Sequence, residues 1–280
     1  MNRSRREFLK SCGAGAAAWA ALGLVPGRFL FSRCEAAELP PDKLKELAAF
    51  ALEQAKKAGA SYADIRINRY HSQVVNLRSQ PDFRTGKVNQ VPAVSDSETF
   101  GFGLRALAAG AWGFSASYLV KQDEIARAAQ EAVETAKANA RLRREPVRQA
   151  PVPAYQDAYR TPIVKDPFSV PIKEKLELLR AVADEARKVD GIFSTRGFIA
   201  QRIEHRFFAS TDGSVIEQHV FQIAPEFDVS AVDKGRKQKG RTYRPHPVTA
   251  GYEAVERANM LAQARRVAEE AVAHLKAPSV

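Results

Sequence analysis

The stretch from Thr99 to Ser117, T-F-G-F-G-L-R-A-L-A-A-G-A-W-G-F-S-A-S, constrains the fold more than any other part of this 280-residue chain. Its apolar and small residues alternate with period two, and Ala109-Gly110 supplies a two-residue turn, so the stretch reads as a β-hairpin. That turn sets a register: Leu107 opposite Trp112, Arg105 opposite Phe114, Ala106 opposite Gly113 and Leu104 opposite Ser115. Small residues then make room for aromatic neighbours across the strands. Gly101 to Ala106 also fits the dinucleotide-binding spacing G-x-G-x-x-A. That reading needs a full helix after the loop, and Gly110 and Gly113 interrupt any helix there, so the hairpin is preferred.

Around the hairpin the period changes twice. Asp42 to Gly59 reads as a helix capped by Asp42, with Leu44, Leu47, Ala48, Ala51, Leu52 and Ala55 on one face. Alternation at Ile65 and Ile67 and again around Val74 to Arg78 predicts two strands, and Gln80 to Glu98, with Pro81, Gly86 and Pro92, reads as a loop. Gln122 to Ala140 reads as a helix burying Ile125, Ala128, Ala129, Ala132, Val133 and Ala136. Prolines crowd residues 146–171, which reads as a semi-rigid linker. Beyond it come a helix over Lys173 to Lys188, long strand-like runs over Ile192 to Ser210 and Ser214 to Asp233, and a closing helix over Gly251 to Lys276. The expected fold class is α+β, in two modules over residues 40–145 and 172–280, each an antiparallel sheet packed with long helices.

The formal charge is +11, of which residues 1–36 carry +4. The basic clusters Arg141 to Arg144 and Lys234 to Arg241 interleave no aromatic residues for base stacking, so they read as solvated loops and no nucleic-acid partner is expected. Ser4-Arg5-Arg6-Glu7-Phe8-Leu9-Lys10 precedes a mildly apolar run from Cys12 to Val25, which resembles a twin-arginine signal occupying residues 1–36. Arg5 and Arg6 are its motif residues, and the expected location is periplasmic or otherwise extracytoplasmic, with an uncleaved membrane anchor as the alternative. Both cysteines fall inside that segment.

His205 and His219 flank the turn at Thr211 to Ser214 and raise the question of a metal site. With Asp212-Gly213 as a two-residue turn, His205 lies opposite Val220 and His219 points to the other face, so the pair is expected not to converge and no metal ligand is assigned.

Three stretches, taken in order, resemble the TldD/PmbA family of metallopeptidases, historically called modulators of DNA gyrase. They are Gly59-Ala-Ser-Tyr-Ala-Asp64-Ile-Arg66, then Phe102 to Ser115, then Asp166-Pro167-Phe168 leading into Lys173 to Leu179 with the later Ser210-Thr-Asp212-Gly213 turn. The resemblance implies a zinc-dependent peptidase acting on unfolded peptides, commonly as a two-subunit assembly, with zinc held by an H-E-x-x-x-H helix and a further cysteine in a C-terminal domain. No H-E-x-x-x-H occurs in these 280 residues. The chain is therefore expected to represent the family's N-terminal modules, to hold no cofactor of its own, and to be inactive by itself. Its expected role is assembly and unfolded-peptide binding as a homo- or hetero-oligomer with a TldD/PmbA-type subunit or the missing domain. Arg66, Arg105, Trp112 and Phe114 are the candidate peptide-binding residues. The alternative is a non-catalytic periplasmic binding or assembly protein.

Overall fold

The computed structural model describes residues 39–277 apart from Phe83, Lys234 and Arg236. The signal motif with Arg5 and Arg6, both cysteines, and part of the second basic cluster lie outside the described residues. The elements are α1 (Pro41–Ala58), β1 (Tyr62–Pro81), β2 (Val88–Ala108), β3 (Ala111–Ser117), α2 (Gln122–Ala140), β4 (Gln156–Arg160), α3 (Ile172–Arg187), β5 (Ile192–Ser210), β6 (Val215–Val232), β7 (Gln238–Tyr243), α4 (Glu253–Ala258) and α5 (Met260–Leu275). The class is α+β, as expected. Among the described residues no helix is long and apolar enough to cross a membrane.

The strands form one seven-stranded sheet in the order β3-β2-β1-β5-β6-β4, with β7 also on β6, and every pairing is antiparallel except β4 on β6. The two expected modules thus share a sheet. β1 and β5 pair from Asp64 with Ser210 to Ser79 with Thr195, which joins the first hairpin to the second along nearly their whole length. The described helices all lie on one face, and among the described residues no helix covers the other. The odd-numbered residues of β1 show why: Ile65 and Ile67 enter a core with α1 and α2, while Val75 and Leu77, on the same face further along, enter a second core with α3, α4 and α5.

Several expectations are corrected. β1 is one strand, not two, and the segment read as a loop from Gln80 to Glu98 is mostly β2, paired residue by residue up to Pro81 with Val88. A long partner strand overrides the local preference of Pro and polar residues for loops. The prolines of residues 146–171 do not exclude regular structure, because β4 lies there as a short edge strand, parallel to Val215 through His219. Pro225 does not interrupt β6: it sits opposite Ile199 in a continuous strand, on a stretch that neither β4 nor β7 covers. The closing helix is two helices, separated where Asn259 turns left-handed with φ 43°. Asp42 lies in the first turn of α1 and makes no capping bond; Pro40 holds the N-cap position.

Candidate functional site

The central hairpin has the register read from its sequence, with Arg105 opposite Phe114 and Leu107 opposite Trp112. Ala109 and Gly110 both have positive φ, 50° and 76°, the signature of a type I′ turn. This register puts the four candidate residues on the uncovered face. Arg66 and Arg105 converge on Asp64, whose side chain is fully buried. Arg66 donates to Oδ1 at 2.9 Å, and Arg105 donates to Oδ2 through Nη2 at 2.6 Å and through Nε at 3.0 Å. Arg105 lies over the Trp112 ring and Arg66 over Phe208, at 5.1 and 5.0 Å from the ring centroids. Trp112 meets Tyr62 edge to face. Phe114 is 59% exposed and lies over Gly103. The two guanidinium groups are thus committed to Asp64, and Phe114 is the member of the four most open to a partner.

On the helix-covered face, a belt of polar side chains crosses the sheet between the two cores. His71 and Gln73 hold the two oxygens of Asp96 at 2.7 and 2.8 Å. Gln73 Oε1 accepts from the buried Lys175 ammonium at 2.7 Å and from Gln201 at 3.2 Å, and both donors also reach the Pro167 carbonyl. Burial pushes the Lys175 pKa down to about 8, against the opposing pull of Asp96, Asp166 and Glu174. Phe168 stacks on the His71 ring at 4.0 Å. Arg69 pairs with Glu98 beside them.

The belt continues onto β5 and β6, where the expectation for the histidines fails. His205 pairs directly with His219, and the rings stack with centroids 4.0 Å apart. The hairpin loop is three residues, Thr211, Asp212 and Gly213. The Gly213 N–H reaches the Ser210 carbonyl at 3.1 Å, Gly213 adopts φ 92°, and the Ser210 N–H closes on the Ser214 carbonyl at 3.0 Å. That is a type I turn followed by a left-handed residue. One residue more than a two-residue turn changes the pairing by one position and brings His219 to the same face as His205. Glu217 lies between them, its Oε1 at 2.8 Å from His205 Nε2 and 3.3 Å from His219 Nε2. Burial first, and then neighbouring His205, hold the His219 pKa below its ordinary value in spite of Glu217.

The third feature is an edge. β3 pairs with β2 only over Phe102 to Ala108, so no strand among the described residues lies against the outer side of residues 88–95. Val88, Val91 and Val94 are exposed along it. Pro92 lies within that stretch, opposite Leu77. A proline is tolerated in a strand where its missing N–H would have faced away from the neighbour. By the alternation of an antiparallel ladder, the N–H groups of Gln90 and Val94 then face outward too.

This architecture has relatives. The model of domain 1 of the PmbA/TldA metallopeptidases matches residues 83–140, and the model of their central domain matches residues 165–275. A metalloprotease of Methanothermobacter thermautotrophicus is 29% identical over 77% of this chain and 44% of its own length. One of Methanocaldococcus jannaschii is 27% identical over 64% of this chain and 38% of its own. The chain therefore spans less than half the length of the curated relatives it matches. A candidate modulator of DNA gyrase from Thermotoga maritima has a similar fold, with TM-score 0.57 and 15% identity, covering 85% of this chain and 49% of that one. TldE from Thermococcus kodakarensis gives TM-score 0.52 and 12% identity over 80% and 46%. Two domain models matched in order, one to each half of a shared sheet, show that the chain belongs to the PmbA/TldD family of metallopeptidases.

Proposed function

We propose that this chain is the peptide-receiving and assembly part of a PmbA/TldD-type metallopeptidase, working in an oligomer whose other subunit or domain carries the hydrolytic zinc. The outer edge of β2 carries the reading. An extended peptide can add to residues 88–95 as a further strand, drawing affinity from backbone hydrogen bonds that ask little of its sequence. Trp112 and Phe114, on β3 opposite Leu107 and Arg105 at the other end of β2, offer apolar contact on the face that the described helices leave open.

The sequence has no H-E-x-x-x-H, and Glu217 is held by both histidines, so it is not placed as a free general base beside a metal. The family's hydrolytic centre does not fit these residues.

Placing proline at Ala93 and at Val94 in turn separates the roles of the two sides of the strand. Val94→Pro removes an outward N–H and is expected to weaken binding of a labelled unstructured peptide at least tenfold with little change in melting temperature. Ala93→Pro removes a bond to β1 and is expected to lower the melting temperature. Equal peptide affinity in wild type and Val94→Pro, read by fluorescence anisotropy, would end the edge reading.

A further inference from the structure

We propose that His205, Glu217 and His219 form a binding site for a divalent transition-metal ion of the zinc type, independent of the peptide-edge reading. The three donor atoms, two imidazole nitrogens and a carboxylate oxygen, lie within 4.8 Å of one another. In a tetrahedral zinc site ligands sit about 2.0–2.2 Å from the ion, which separates neighbouring donors by roughly 3.3 Å. The observed 2.8 and 3.3 Å from Glu217 to the two histidines need only a small spreading to admit an ion.

The backbone holds this arrangement with little freedom. His205 and His219 are directly paired across β5 and β6, and Glu217 is two residues from His219 on the same face of the same strand. The His219 carbonyl accepts the Thr161 N–H at 2.9 Å, and the Thr161 hydroxyl accepts the Phe221 N–H, so the end of β4 pins this part of β6. The side chains are 11, 19 and 22% exposed for His205, Glu217 and His219, dry enough to strengthen the bonds and open enough for an ion to enter. Two neutral imidazoles and one carboxylate suit zinc better than magnesium or calcium, which prefer all-oxygen sites. Three protein ligands leave a fourth position, and His205 borders a cleft of about 220 Å³ shared with Phe168 and Ile203 from which water or a peptide carbonyl can fill it. Nearby cations oppose the ion, but Arg69 is already paired with Glu98 and Arg160 is drawn over the Phe221 ring.

The test uses the full chain with Cys12→Ser and Cys34→Ser, since thiolates elsewhere would compete for zinc. Titration with zinc chloride by calorimetry is expected to show one site. His205→Gln and His219→Gln should each weaken it at least tenfold. The triple variant His71→Gln, His246→Gln, His274→Gln, which removes every other histidine of the chain, should keep it. Unchanged zinc affinity in the His205 and His219 variants, or loss in the triple variant, overturns the site. X-ray absorption on the zinc-loaded Cys-free chain reads the ligands without relying on a variant that must fold: two imidazoles support the proposal, and one or none overturns it.

Discussion

At the scale of single residues, the burial of Lys175 carries a cost that its partners only partly offset. Its ammonium has no solvent exposure and is satisfied by Gln73 and a backbone carbonyl, with no carboxylate of the described residues in ion-pair contact. An ammonium held that way gives up its proton more readily than in water, and the folded pKa falls to about 8 against an ordinary value near 10.4. Between those values the unfolded chain binds a proton that the folded chain does not, so stability gained from this group rises with pH across that window, by about 3 kcal/mol in all. Below about pH 8 both states are protonated and the burial cost is fully present. Lys175→Met should flatten this rise, which urea denaturation at pH 7.5 and pH 10 will measure. A wild-type and variant pair with the same slope would refute the account.

At the scale of elements, β3 rests directly on α2 because one position has no side chain. A Cβ on Gly113 would stand 1.9 Å from the Ala132 carbonyl oxygen and 2.5 Å from the Ala136 nitrogen. Backbone cannot swing aside as a flexible side chain can, so Gly113→Ala must lift the strand from the helix. The expected loss is about 2–3 kcal/mol, the upper part of the range for overpacking, whereas Gly86→Ala, in open space at φ 67°, should cost only the strain of its turn, about 1 kcal/mol. Chemical denaturation of the two variants side by side checks the ranking. The elements were legible to the extent that their pattern was local. All six residues expected inside α2 are buried, because one face of a helix is defined within the helix itself. β2 was not legible over its first half, where V-N-Q-V-P-A-V-S carries loop-like residues and the ladder is imposed by β1.

At the scale of the whole molecule, two cores are welded by one sheet. Ile65 and Ile67 belong to one core and Val75 and Leu77 to the other, yet all four sit on β1, which pairs with β5 along both. Neither core can lose its strands without fraying the other, so thermal unfolding of residues 39–277 is expected as a single transition, with calorimetric and van't Hoff enthalpies in agreement. Two resolved transitions would show that the halves fold independently. The same continuity places the polar belt midway along the long strands, between the helix packs, where two separate modules would have left only their ends.

What the residues determined unaided was short in range: the β2–β3 register and the buried faces of the helices. Each follows from neighbours a few positions away, through a turn of known length or a period of 3.6. The convergence of His205 with His219 belonged to the tertiary structure. It hangs on whether the loop at Asp212 holds two residues or three, and because side chains alternate along a strand, that single residue decides which face every later side chain takes. The union of two hairpins into one sheet was equally out of reach, since the pairing of β1 with β5 depends on contacts between residues more than a hundred positions apart, for which the chain carries no local signal.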